Sequence, residues 1–513
     1  MIAYRPARNG MVLVVVLVVI TLLTLCALTF SELMTAEREG AEVAVRQVQA
    51  RALADSGVEL ARLFLAQDVQ TQVQSGGWYD NSQFRGVAVL DDGGAQGIGR
   101  FTMVAPRVED GRYMGIRFGL EDESARLNLN VLAAIDRTSP GSGRQILMGL
   151  PGMTEDVADA ILDWMDPDDE LREFGAEIET YASLSPPYAT RNGPLATIEE
   201  LLLVRGVTPS LLLGVDANRN WLADNSEASS MMFIEADNSD GSMSFGWSAY
   251  LTLYSAEANL QPDGQPRINL NGQDLKKLHQ DLDTAVGTEW ANFIVAYRQD
   301  GPFKETATGS TAVSAASVQL DLERPGKTNL STVLDLIGTK VRTRVTGSDN
   351  PVVLESPFPD TPGLMNAYLP KLMDYCTASP LTSIPGRINI NLASRTVLAG
   401  IPEMPEEAVD MILSQRPEDP TQAEEMYRHE TWILGNGLVT LEQMKKLMPY
   451  VCGGGSVFRA QVVGYFDRGG PAARIEAVID ASSQPGRIVF WRDMTHLGRG
   501  YPLETLGVEA IPY

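Results

Sequence analysis

Cysteine is nearly missing from this chain, with three in 513 residues, too few for a disulfide framework. Cys26 lies inside an apolar run, so only Cys376 and Cys452 could bridge in an oxidising compartment, and two buried thiols are an equally simple reading. Histidine is as scarce. His279, His429 and His496 stand far apart with no nucleophile motif beside them, and neither a P-loop nor a dinucleotide fingerprint occurs, so no enzymatic activity is expected. Positive charge is short too: 41 Lys and Arg face 66 Asp and Glu, a net charge of −25. Such a surface repels phosphate, which argues against a nucleic-acid partner. Acidic oxygen clusters suit hard cations instead.

Long apolar runs are missing with one exception, MVLVVVLVVITLLTLCALTF at 11–30. It carries no charge or proline and has the length of a membrane-spanning helix, about 20 residues. The leader before it, 1–10, holds Arg5 and Arg8, which keep that end cytoplasmic and send the remainder to the far side of the membrane. An ordinary secretory signal is cut after its apolar run. Here the small residue Gly10 comes before it, so a cut there retains the greasy segment. Beyond Phe30 the pattern reads as the same helix continuing to about Gln72, with Leu53, Val58, Leu60, Leu63, Phe64 and Leu65 as its apolar face.

Basic leader, glycine and long uninterrupted helix together resemble the class III signal of type IV pilins and pseudopilins. The resemblance implies cleavage by a prepilin peptidase after Gly10 and methylation of the new N-terminus at Met11. It also implies a segment that serves first as membrane anchor and later as filament core. In most pilins the fifth mature residue is a glutamate that neutralises a neighbour's N-terminal amine. Here that position is Val15, and no acidic residue precedes Glu32.

The chain then repeats itself. RLNLN at 126–130, RINLN at 267–271 and RININL at 387–392 each read as a short strand whose Asn side chains can cap the helix that follows. Each precedes a helical unit, which gives three related modules. LPGMTEDVADAIL and IPEMPEEAVDMIL have the cadence of a helix-hairpin-helix, a DNA phosphate binder. The residues oppose that use: Met153 and Met404 replace the second turn glycine, and Glu155, Asp156 and Asp159, or Glu406, Glu407 and Asp410, follow it.

GRFTMVAPRV and GRYMGIRFGLEDES flank the turn at Glu109-Asp110-Gly111 as a hairpin, WSAYLTLYSAEANL reads as a further strand, and 458–494 as a three-stranded meander with turns at Gly469-Gly470 and Pro485-Gly486. The expected fold is α+β: a pilin-like N-terminal helix on an antiparallel sheet, with large inserted helical (helix-hairpin-helix or SAM-like) repeats. The expected domains are 1–10 leader, 11–30 transmembrane, 31–120 helix continuation and first hairpin, 121–235, 236–375 and 376–452 helical modules, and 453–513 closing sheet. With the blocks at 119–130, 150–181 and 191–208, this plan resembles the K-type minor pseudopilins of the type II secretion system, except for its middle repeat. The resemblance implies a subunit that starts or caps a periplasmic filament. Its implied partners are other minor pseudopilins, the inner-membrane secretion platform and the prepilin peptidase, with no nucleic acid.

Two acidic stretches carry whatever chemistry there is. DANRNWLADNSE, read as a twelve-residue calcium loop, places Asp216, Asn218 and Asn220 at positions 1, 3 and 5, the carbonyl of Leu222 at 7, Asp224 at 9 and Glu227 at 12. Trp221 stands at position 6, where glycine normally makes the sharp turn. DWMDPDDELREFGAEIETY at 163–181 is a second, weaker candidate through Asp166, Asp168, Asp169 and Glu177, with only Arg172 to offset it. Two other functions remain open at this point: a membrane-anchored DNA-binding module of a competence pilus, and an anchored hydrolase using Asp166 and Asp168.

Overall fold

In the computed structural model, which describes residues 9–91, 93, 97–222, 224, 227, 238, 241–303, 312–346 and 350–508, the apolar run opens a helix of 57 residues, Asn9–Leu65. Residues 11–30 lie fully exposed, and by length and composition this helix can cross a membrane. Its second half buries a stripe of Ala50, Leu53, Ala54, Val58, Ala61, Phe64 and Leu65. That spacing of three and four is one helical face. Leu60 and Leu63 fall off the stripe and are exposed, contrary to the sequence reading. The helix also stops before Gln72. Asp68 caps a separate short helix, Val69–Gln74, by accepting the Thr71 N–H at 2.9 Å, a local bond that competes with continuing the first helix.

The stripe lies on an antiparallel sheet ordered Val87–Leu90, Gly99–Glu109, Val457–Phe466, Ala473–Asp480, Arg487–Asp493. Phe101, Met103, Val462, Ile475 and Ala477 supply its side of the core. Gly57 lets helix and sheet close: a Cβ there would meet Val462 Cγ1 at 2.5 Å. The hairpin forms as expected, Gly99–Glu109 with Arg112–Arg117, turning through left-handed Asp110 (φ 48°) and Gly111 (φ 77°). The sheet is completed from the far end of the chain, since Gln461 pairs with Val104.

Between these halves sit the three modules, each opened and closed by a two-residue parallel ladder. Leu127 and Asn128 pair with Leu251 and Thr252, Ile268 and Asn269 with Cys376 and Thr377, Ile388 and Asn389 with Val451 and Cys452. The stretch expected as one strand, WSAYLTLYSAEANL, is therefore divided into a helical turn, Trp247–Ala249, and two short strands, Leu251–Thr252 and Ala256–Ala258. Asn128 caps the next helix through the Val131 N–H. The later helices are capped by Asp274 and Ser394 instead. The second Asn of the repeat has a different use: Asn130 exchanges two hydrogen bonds with the backbone of Leu195 at 2.8 and 3.1 Å, and Asn271 does the same with Leu330 at 2.9 and 3.0 Å. Both tie the module's start to the helical turn that closes it. One apolar core runs through all three modules, and Cys376 and Cys452 lie buried in their ladders as free thiols.

Candidate functional site: two acidic clusters

The first module's last helix, Pro209–Leu213, runs into Asp216, whose buried carboxylate curls the chain around itself. Its two oxygens accept the backbone N–H groups of Asn220 and Trp221, each at 3.0 Å. Trp221 adopts the left-handed backbone that position 6 demands (φ 61°), as does Arg219 (φ 57°). For a residue with a side chain this costs about 1–2 kcal/mol. Tertiary packing offsets it: the indole stacks on Tyr113 at 5.4 Å, and the Arg126 guanidinium lies 5.4 Å from its ring.

Asn220 is fully buried. Its Oδ1 accepts the Leu222 N–H at 2.8 Å, and its Nδ2 donates to Asp224 at 2.9 Å and to the Gly500 carbonyl at 2.8 Å. Asn218 donates to the same Asp224 oxygen at 2.6 Å, and its backbone N–H reaches Glu227 at 3.3 Å. Two oxygens remain enclosed without any hydrogen-bond partner, Asn218 Oδ1 and Glu227 Oε2. Burial, with the Glu227 charge adding to it, pushes Asp216 up to about 6. Among the described residues no three His, Cys, Asp or Glu side chains converge to enclose a metal by themselves. A cation here therefore has to draw on amide and backbone oxygens as well, the donor set of a calcium loop. Residues 223, 225 and 226 of the stretch lie outside the described residues.

The second cluster forms where the helix Glu155–Met165 ends. Arg172 neutralises most of it, with Asp163 at 2.7 Å, Asp136 at 3.1 Å and a short contact to Asp166. Glu177 is left out: it is buried, and neither of its oxygens has a partner. Burial, then the charges of Asp163, Asp166 and Asp169, push it up to about 7. Asp166 Oδ1 and Asn192 Oδ1 are also enclosed and unpartnered. Asp168 and Asp169 stay exposed, Asp169 taking the Asn192 amide at 2.8 Å. Asp166 and Asp168 thus do not form a facing pair: one is held by Arg172 and the other lies in solvent.

The hairpin-like repeats are chemically closed as well. Arg144 pairs with Asp159 at 2.5 Å and Arg395 with Asp410 at 2.7 Å, the same 15-residue spacing in both, so the nearest cations already hold carboxylates. Gly152 (φ 68°) and Glu403 (φ 64°) make the same left-handed turn. At the N-terminus Gly10 lies within the helix, Met11 and Val15 are exposed, and the leader up to residue 8 lies outside the described residues.

The sequence reading missed the residues that hold the first loop from outside: Arg474, Gln461 and Gly500. They follow the loop by more than 230 residues, and nothing in their local pattern marks them. Asn192 was missed too, though an Asn-Gly pair is a left-handed turn signal.

The family model described as type II secretion system (T2SS), protein K, matches residues 125–216. Type II secretion system protein K of Pseudomonas aeruginosa is 30% identical over 210 residues, 39% of this chain and 58% of that protein. A putative type II secretion system protein K of Escherichia coli K12 is 31% identical over 115 residues, 20% of this chain and 35% of that protein. The matches thus span well under two thirds of these relatives' lengths. A crystal structure titled as the GspK-GspI-GspJ complex of the enterotoxigenic Escherichia coli type 2 secretion system aligns over 90% of this chain and 98% of that one, at 13% identity and a TM-score of 0.33. The matched module, 125–216, runs from the first repeat through the second acidic cluster to Asp216, and it is there that the chain is similar to the type II secretion system protein K family.

Proposed function

We propose that this chain is a minor pseudopilin, anchored by one helix in the inner membrane with its bulk in the periplasm, and placed at the tip of a type II secretion pseudopilus that exports folded proteins. The observation that carries the reading is the division of one helix into an exposed apolar half and a half seated on an antiparallel sheet, in a chain whose first module matches this family's model. An exposed apolar helix without a covering partner calls for a membrane or for other helices. Val15 supports the tip position, because the chain lacks the glutamate that would receive a neighbour's amine in an apolar bundle. The modules between Glu123 and Ser456 are bulky additions to a subunit that must stack, and are free only at an end.

On this reading a prepilin peptidase cuts after Gly10, Met11 becomes the methylated N-terminus, and the helix and sheet contact other minor pseudopilins and the inner-membrane platform. Calcium is the proposed cofactor, held in the first loop by Asp216, Asn218, Asn220, the Leu222 carbonyl, Asp224 and Glu227, and more weakly by Asp166, Asp169 and Glu177 with Asn192. The unpartnered oxygens support the fit. A bound ion supplies the positive charge these buried carboxylates lack.

Mass spectrometry of the N-terminus and cysteine cross-linking along the first helix test the proposal together. Expected are a chain starting at Met11 and cross-links to other minor subunits. An intact Met1 in a strain with active peptidase, or abundant self-cross-links, would overturn it.

A further inference from the structure

We propose that the loop Asp216–Leu222 is the clasp between the first helical module and the main sheet, closed when a cation sits in it. The inference rests on the calcium reading above. The same seven residues face two ways. Inward they present the oxygens of Asp216, Asn218 and Asn220. Outward their backbone and side chains grip three separate pieces of the sheet domain.

Arg474, fully buried on the strand Ala473–Asp480, donates through one nitrogen to the carbonyls of Asn218 and Arg219, each at 2.6 Å. Gln461, on the strand Val457–Phe466, donates to the Arg219 carbonyl at 3.2 Å. Asn220 donates to Gly500 at 2.8 Å. Leu222 packs against Val104, Val463, Tyr465 and Tyr501 in a small apolar cluster of its own. The second acidic cluster makes no such reach. Its partners, Asp136, Arg172 and Asn192, all belong to the first module.

Glu227, nine-tenths buried with one oxygen unpartnered, points to a ligand on the inward side. A cation that gathers those oxygens fixes the backbone at 218 and 219, whose carbonyls point the other way, at Arg474. Occupancy of the inner face and closure of the outer face are therefore linked, and each strengthens the other. The fixed ion pair between Arg492 and Glu199 keeps module and sheet attached when the clasp is open.

The test uses the full chain in detergent micelles, with calcium ion or with chelator. Calorimetric titration reports binding, and hydrogen exchange reports the clasp. Calcium is expected to slow exchange about tenfold at 216–222 and also at 494–506, across the joint, leaving the pairing of 457–466 with 473–480 unchanged. Val463→Ala trims the apolar cluster from the sheet side and touches no proposed ligand, so calcium should still bind within about threefold while the gain at 494–506 is lost. Arg474→Met should have the same effect more strongly. Calcium uptake with protection confined to 216–227, or a Val463→Ala chain that still transmits protection, overturns the clasp and leaves the calcium reading standing. No calcium uptake overturns the calcium reading and the clasp with it.

Discussion

Asp216 and Glu476 are both buried carboxylates, and both face the joint between module and sheet, yet the protein treats them oppositely. Glu476 lies between Arg459 and Arg492, each 3.1 Å away, and although burial opposes it, the two guanidiniums hold its carboxyl down to about 2. Asp216 has backbone N–H groups but no guanidinium bonded to it, and burial pushes it up to about 6. The same division runs through the rest of the acidic surplus. Glu123 and Glu199 are paired to Arg459, Arg219 and Arg492, whereas Glu227 and Glu177 are enclosed with oxygens to spare. The joint supplies its own counter-charge where it has to be permanent. It leaves carboxylates unpaired where the counter-charge can come from outside.

The sharpest way to break this comparison is on the paired side. Arg459→Met leaves Glu123 buried without a guanidinium and Glu476 with Arg492 alone, and a loss of about 3–5 kcal/mol is expected in urea unfolding. A loss below about 1 kcal/mol would mean that pairing is not what separates the two groups. On the unpaired side, calcium at a hundred times its dissociation constant should stabilise the chain by about 2.7 kcal/mol, and Glu227→Gln should shrink that gain.

The pH dependence sharpens the contrast further. Asp216 and Glu177 have folded pKa values above their ordinary 3.8 and 4.5, so the folded chain binds the extra protons and loses stability as pH rises from about 4 to 7. Asp216 alone, at about 1.4 kcal/mol per unit, supplies on the order of 3 kcal/mol of that loss. Glu476 runs the other way: its contribution is present above its ordinary 4.5 and disappears as pH falls toward 2. In chelator, thermal unfolding should therefore come at higher temperature at pH 5 than at pH 7, and calcium should flatten the difference. The smallest effect belongs to Asp168→Asn. Its exposed carboxylate accepts only the Glu170 N–H at 3.0 Å, and the change should cost less than about 0.5 kcal/mol.

What could be read in advance was set by distance along the chain. The long helix, the Asp110-Gly111 hairpin, the closing meander and the three repeats are local patterns, and each is legible from spacing and turn residues alone. The repeats also carried the ladder positions, since RLNLN and its two relatives mark where each module opens. Of the partners of those strands, Leu251 falls inside a stretch read as one longer strand, while Cys376 and Val451 carry no signal, because a two-residue ladder has no periodicity to detect. Oxygen spacing made the loop at 216–227 visible, but the tryptophan at position 6 counted against it. Only the packing of Tyr113 and Arg126 on that ring explains why a bulky residue can hold a glycine's conformation. In the second cluster the density of carboxylates was plain, while Arg172's choice of Asp136, Asp163 and Asp166, with Glu177 excluded, depends on three-dimensional closure.

The completion of the main sheet from both ends of the chain bears on how the protein is made. Val104 and Gln461 are neighbours in the sheet but emerge from the ribosome some 350 residues apart. Synthesis at roughly 5–20 residues per second therefore leaves the hairpin waiting for tens of seconds. During that time the stripe from Ala50 to Leu65 is covered only by the early strands, through Phe101 and Met103, and lacks Val462, Ile475 and Ala477. Each module, by contrast, can pair its two ends in its own ladder before 457–466 has been made, although its apolar core is completed only with its neighbours. The last strands of the sheet to arrive, within 457–493, join the first helix to the modules already made. A truncation anywhere before them leaves a chain with an open sheet edge, the kind of product that proteases remove.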